Sequence, residues 1–348
     1  MKMRNLFFIF LIILVIFLFL FSFLFYQFNN PKEKNGFSEI SFKVEKGQGF
    51  REIARNLEKN GLIKSAKTFE IYLFLKGWLG KLKPGNYYLS PSFPLKKIAE
   101  RIVKGPLLEE VEITIPEGKT IYWLDNLLSE KGVIKKGELI NFQPSPSQIN
   151  SYPFLAQKPK KENLEGFLFP DTYRFPLLVS ENNIEVVVNK LLENFSSHLN
   201  STLLEDIEKS GRNLYEVLIL ASLLEKEIFF SEEKPKTADI LLRRLKRKMP
   251  LQVDASVVYA KMKKYNLSWL EAADLQEKDY QIDSPYNTYL FLGLPPTPIC
   301  NPGLDSIKAA VYPEKNNYWY YLTDKKTKKA IFSRTFLEHK KAKKIYLK

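Results

Sequence analysis

Apolar and polar positions divide the chain into an apolar leader, a short patterned module and a long mixed region. From Leu6 to Tyr26 every residue except Ser22 is apolar, close to the ~20 residues a helix needs to cross a bilayer. Asn29 to Gly36 is polar, with one proline and three charges, and reads as a linker. Ser41 to Val44 alternates as a strand, and Phe50, Ile53, Ala54 and Leu57 make the apolar face of a helix that Gly61 can close. Ser65 can cap a second helix, Tyr87-Tyr88-Leu89 reads as a returning strand, and Leu95, Ile98, Ala99 and Ile102 mark a third helix. Beyond Pro106, Val111 to Ile115 predicts a strand, followed by a helix carrying Ile121, Leu124, Leu127 and Leu128. Gln143 to Pro159, rich in Pro, Ser and Asn, predicts an exposed loop or insertion. Helix is expected over most of Ile184–Ile207, over Leu214–Glu227 and over Ala238–Lys246, with a hairpin from Tyr318–Thr323 and Ala330–Ser333. Helix and strand mix without a regular βαβ alternation, so the fold class is α+β.

Charge and cysteine content refine this picture. Lys2 and Arg4 precede the apolar run, which by the positive-inside rule keeps the N-terminus in the cytoplasm and sends the rest across. The run is too long for the apolar region of a signal peptide, and no small-residue cleavage site follows it. The divisions are residues 1–27, cytoplasmic N-terminus and transmembrane anchor; 28–37, linker; 38–105, small module; 106–348, larger domain. Cys300 is the one cysteine, so no intramolecular disulfide can form. The formal charge of +14 raises nucleic acid as a partner. That partner is not expected: the topology is extracytoplasmic, and there is neither an aromatic-interleaved basic motif nor zinc-ligand spacing. The basic surface better suits anionic lipid headgroups or wall polymers.

Leu214 to Glu227 contains the sharpest chemical signal. Leu214, Leu218 and Ala221 recur at helical spacing, and Glu225 continues that row where a core side chain is expected. A carboxyl on an apolar row suits a general acid working near neutral pH. A paired or snorkelling helix-end acid reads equally well from the row alone, because Val217, Ile219, Leu220, Leu223 and Leu224 make the helix apolar nearly all round. Glu227 falls on the other side and is the bland member of the pair.

Several strings accompany this helix: Leu164 to Tyr173 (LEGFLFPDTY), Ala221 to Glu227 (ASLLEKE), Leu251 to Tyr259 (LQVDASVVY), Ser284 to Tyr289 (SPYNTY), Gly293 to Pro296, Asn301-Pro302-Gly303, and Phe332-Ser333 with Glu338-His339. Together, in order and spacing, they resemble the MltG (YceG-like) family of membrane-anchored endolytic murein transglycosylases over almost the whole chain. The resemblance assigns the catalytic glutamate to the Ala-Ser-x-x-Glu-Lys-Glu string, at Glu225. It implies cleavage of nascent peptidoglycan glycan strands at the MurNAc–GlcNAc bond. The acid protonates the leaving oxygen and then, as base, takes the proton of the muramic acid C6 hydroxyl, closing a 1,6-anhydro ring and terminating elongation. It further implies residence in the bacterial inner membrane with a single pass, peptidoglycan synthases as neighbours, and a LysM-like module beside the anchor. Strand, two helices and strand over residues 38–105 fit such a module, as a glycan binder or as a spacer.

Gln252 and Asp254 share a face at strand spacing and are expected to position substrate, with a strand-end pair satisfying backbone donors as the alternative. Tyr286, Asn287, Thr288 and Tyr289 offer the hydroxyl, amide and aromatic groups that hold sugars, or else pack a loop. Glu165 is expected to line the cleft. His339 lies on a terminal helix without a second histidine nearby, and there is no Cys-x-x-Cys, so no metal or other cofactor is expected. Two other functions stay open: a non-catalytic peptidoglycan-binding scaffold, and a glycan hydrolase using two carboxylates.

Overall fold

The computed structural model describes residues 2–33, 40–106, 110–177 and 183–347; within the first helix, the side chains of residues 2–10, 13, 17, 20 and 21 are outside that description. The chain forms two compact units, Met1–Glu109 and Glu110–Lys348.

Unit 1 begins with α1 (Lys2–Asn29), one continuous helix. Among the described residues no helix is long and apolar enough to cross a membrane. Residues 34–37 of the expected linker lie outside the description. There follow β1 (Ile40–Val44), α2 (Phe50–Lys59), α3 (Ala66–Leu75), β2 (Gly85–Leu89) and α4 (Leu95–Lys104). β1 and β2 pair antiparallel from Ile40 with Leu89 to Val44 with Gly85. The apolar faces legible in the sequence close the core, with Ile53, Ala54, Leu57, Ile98, Ala99 and Ile102 all buried. Ser65 caps α3 through the Thr68 N–H.

Unit 2 comprises β3 (Glu110–Thr114), α5 (Ile121–Glu130), α6 (Pro146–Ser151), β4 (Thr172–Pro176), α7 (Asn183–His198), α8 (Ser201–Lys209), α9 (Leu214–Glu227), α10 (Lys234–Lys246), α11 (Asp254–Tyr265), α12 (Trp269–Ala272), α13 (Leu304–Val311), β5 (Tyr320–Thr323), β6 (Ala330–Ser333) and α14 (Phe336–Tyr346). Its strands form two antiparallel pairs, β3 with β4 and β5 with β6, so short ribbons flank a helical core and the α+β class holds.

One expectation is corrected here, and the mostly helical stretch over 184–207 is borne out with a short break. Residues 143–159 are not an exposed loop: Ser145 forms a capping box with Gln148 to start α6. A 3₁₀ turn over Pro153–Gln157 follows and buries Leu155. The helix over 184–207 breaks at residues 199–200, where Asn200 caps α8 by accepting from the Leu203 N–H at 2.8 Å.

α9 is the central rod of unit 2. Asn213 and Glu216 form a capping box at its start, and every residue from Leu214 to Leu224 except Glu216 is buried. Burial ends at the last turn, where Glu225, Lys226 and Glu227 are each half-buried. A helix that is apolar all round is a core helix, so its hydrophobic row does not separate one terminal acid from the other.

Candidate active site

The end of α9 carries two polar centres on different sides. Glu225 and Glu227 are two residues apart, which turns them roughly 200° from each other around the helix.

Glu225 does not lie in an apolar pocket. Its Oε2 accepts from the Lys234 ammonium at 3.2 Å, the Gly303 N–H at 3.1 Å and the Ser306 hydroxyl at 2.6 Å. Lys234 opens α10 and is itself buried, so the two form an interior ion pair. A third charged group adjoins them. Glu117, in the loop before α5, lays its carboxylate so close to Gly303 that a Cβ there would sit 1.9 Å from Oε1. Burial, and then the charge of Glu225, raises the Glu117 carboxyl above its ordinary range, while Lys234 pulls it down. With three donors on one oxygen and a buried cation as partner, Glu225 has the surroundings of a structural ion pair.

Glu227 has different company. Its Oε1 accepts from the Ala255 N–H at 2.9 Å, at the start of α11. Asp254, the first residue of α11, therefore brings a second carboxylate alongside. Burial, reinforced by the Asp254 charge, pushes the Glu227 carboxyl up to about 7, against the pull of the Ala255 N–H. Asp254 accepts from the Tyr289 hydroxyl at 2.5 Å. That hydroxyl is held well above its usual range by burial first and then by Asp254. Thr323 of β5 donates to the Glu227 carbonyl at 3.0 Å. The Tyr321 hydroxyl, whose ionisation Glu227 opposes after burial, is buried without a hydrogen-bond partner among the described residues.

Gln252 and Asp254 are both exposed, and they share a side, though not through a strand. Gln252 adopts a left-handed backbone with φ of 54°, a conformation that costs a non-glycine residue of order 1–3 kcal/mol and clusters at functional sites. The segment is held by the tyrosine-rich string. Thr288 accepts from the Val253 N–H at 3.0 Å through its hydroxyl, and its carbonyl accepts from the Gln252 N–H at 3.1 Å.

The remaining candidates face inward. Asn287 is fully buried, donating to the Tyr280 and Ile282 carbonyls. Thr288 is buried as well. The Tyr286 hydroxyl bonds Thr297 at 2.9 Å and accepts from Lys263 at 3.3 Å. Glu165 is 1% exposed and occupied by the Ile121 N–H at the start of α5, the Asn301 amide and the Tyr259 hydroxyl. Burial pushes its carboxyl up to about 8, with the Ile121 and Tyr259 donors opposing. Asn301 also accepts from the Gly166 and Leu168 N–H groups and donates to the Lys119 carbonyl. It thereby laces three distant strings into one scaffold. The structure thus brings together Glu227, Asp254, Tyr289 and Gln252, and sets Glu225 apart with Lys234 and Glu117. Neither Glu117 nor Lys234 is signalled by pattern. The one available cue was the Pro116-Glu117-Gly118 turn, where Gly118, at φ of 73°, packs against the Glu225 side chain.

The YceG-like family model matches residues 42–345. The chain belongs to that family. It is 32% identical over 326 residues to an endolytic murein transglycosylase of Bacillus subtilis (strain 168), covering 91% of this chain and 87% of the relative. It is 29% identical over 333 residues to an endolytic murein transglycosylase of Streptococcus pneumoniae serotype 2 (strain D39), covering 89% of this chain and 58% of that longer relative. A crystal structure of a YceG-like protein from Listeria monocytogenes superposes with a TM-score of 0.57 at 30% identity, over 89% of this chain and 99% of that one.

Proposed function

We propose that the protein is a peptidoglycan lytic transglycosylase that cuts within glycan strands, with Glu227 as its acid and base. The observation that carries the assignment is the meeting of Glu227 with Asp254 at the start of α11, where burial first and then the Asp254 charge push the carboxyl up to about 7. In the forward step Glu227 gives its proton to the glycosidic oxygen, and the bond from muramic acid C1 to that oxygen breaks. Charge then develops on the ring as an oxocarbenium ion. The C6 hydroxyl of the same ring attacks C1, and its proton passes to the Glu227 carboxylate. The acid is regenerated, no water is consumed, and the products are a 1,6-anhydromuramic end and an N-acetylglucosamine non-reducing end. Tyr289 holds Asp254, and Gln252 presents its amide from the same exposed segment.

The Asp254 carboxylate also supports a second reading, hydrolysis with two acids, in which it activates water. Digestion of purified glycan strands in H₂¹⁸O separates the two. The transglycosylase should yield muramic ends lighter by one water and free of label, with internal as well as terminal cuts. Incorporation of ¹⁸O at those ends assigns the enzyme to the hydrolases instead.

The substrate strands lie outside the cytoplasmic membrane, and the apolar run Leu6–Tyr26 supports an anchor that holds the enzyme there. As a sequence, that run is close to the ~20 apolar residues a helix needs to cross the hydrocarbon core. The full chain should stay with the membrane fraction through alkaline and high-salt washes, whereas a chain beginning at Ser38 should be released. Release of the full chain by salt alone refutes the anchor. The order strand, helix, helix, strand in residues 40–89 supports the LysM-like reading of the small module, and proximity to the anchor suits neighbouring peptidoglycan synthases as partners.

A further inference from the structure

Three lysines near the end of α9 take no part in the acid–base step. Lys226, between the two acids, places its ammonium 3.7 Å above the centre of the Trp269 ring and donates to the Gly118 carbonyl at 3.2 Å. One residue beyond Gly118, the Lys119 ammonium stands 4.8 Å over Trp123 of α5. Lys263 of α11 stands 4.7 Å over the Tyr286 ring. Tyr286 and Tyr259, both buried, pack with ring centres 4.9 Å apart, and Tyr259 packs on Tyr122 at 6.5 Å, which ties the Lys263 side chain to α5, the helix that carries Trp123. Their charges act on one another's surroundings: Lys119 opposes the charging of Lys226, and both Lys226 and Lys263 act on the buried Glu165 below.

None of these three ammoniums ends in a salt bridge among the described residues. Three cations free of salt bridges form a positive field that a carboxylate completes, and the half-buried Trp123 and Trp269 rings offer flat surfaces for the ligand's apolar parts. We infer that this lysine cluster is a subsite for the carboxylates of the peptide stems carried by the glycan substrate, beside the bond that is cut. The inference rests on the transglycosylase reading and adds what that reading lacks, a basis for preferring stem-bearing strands. A neutral, peptide-free strand fills the acid–base centre and brings no negative charge to the three lysines.

The test compares kcat/KM on two preparations of the same purified glycan strands, one with stems intact and one stripped of them by an amidase. The wild-type chain should favour the stem-bearing strands about tenfold, the worth of one good charge-assisted contact. Lys119→Gln with Lys263→Gln should bring that ratio close to one, and the corresponding double Arg variant should restore it. A second readout needs no variant: the wild-type ratio should fall steadily as salt is raised, because the contact is electrostatic and partly exposed. A wild-type ratio of one, a ratio insensitive to salt, or a ratio unchanged in the double Gln variant overturns the subsite while leaving the transglycosylase reading intact. Absence of cleavage of both preparations overturns that reading and the subsite with it.

Discussion

Glu227→Gln should abolish glycan cleavage in a folded protein, whereas Glu225→Gln should retain turnover per folded molecule and lose stability. The amide at 227 can still accept from the Ala255 N–H but has no proton to give, and loss of general acid catalysis typically lowers the rate by about 10² to 10⁴. At 225 the loss is of another kind. Glu225 is the counter-ion of Lys234, which is 3% exposed, and removing one partner of a buried pair leaves a charge uncompensated at a cost of about 3–5 kcal/mol. Turnover with isolated strands, paired with a thermal melt of each variant, separates the effects. If Glu225→Gln is inactive at an unchanged melting temperature while Glu227→Gln still cuts, the assignment of the acid is reversed.

The pH profile of Asp254→Asn should move in a direction set by electrostatics. The reacting form of Glu227 is the protonated one, so wild-type kcat/KM should fall as pH rises through about 7, the value to which burial and Asp254 push this carboxyl. Removing the Asp254 charge eliminates a negative neighbour, eases ionisation of Glu227 and shifts that alkaline limb to lower pH. Burial remains, so the limb should stay above the ~4.3 of a free glutamate. Tyr289→Phe, which deletes the hydroxyl on Asp254, leaves the negative charge in place and should not move the limb downward. A limb unmoved in Asp254→Asn shows that Asp254 does not tune Glu227. In that case its contact with substrate or water becomes the explanation for its place in the cleft.

Much of the architecture was legible residue by residue. The period-2 run Ser41–Val44 and the faces built on Ile53 and Ile98 became the strand and helices of unit 1, because one-sided burial imposes a periodicity that survives in sequence. The hairpin from Tyr320 to Ser333 formed as its β-rich segments and polar turn required. Residues 143–159 misled because proline and serine serve equally in loops and at helix starts, and only the Ser145–Gln148 capping box decided between them. The tyrosine-rich string misled in part for a similar reason. Asn287 and Thr288 carry sugar-binding chemistry, but the local turn consumes the Asn287 amide and the distant start of α11 takes the Thr288 hydroxyl.

By itself the sequence determined the α+β class and the order of elements, since each depends on periodicity or on neighbours within a few residues. The proposed choice of Glu227 over Glu225 rests on the tertiary structure. α9 is buried on every side, so no hydrophobic row distinguishes its two terminal acids, and what does distinguish them comes from far along the chain. Lys234, Gly303 and Ser306 converge on Glu225, while Ala255 and its neighbour Asp254 meet Glu227. A carboxyl's proton affinity is set by the charges and donors within a few ångströms of it, and only the folded chain brings those groups into reach.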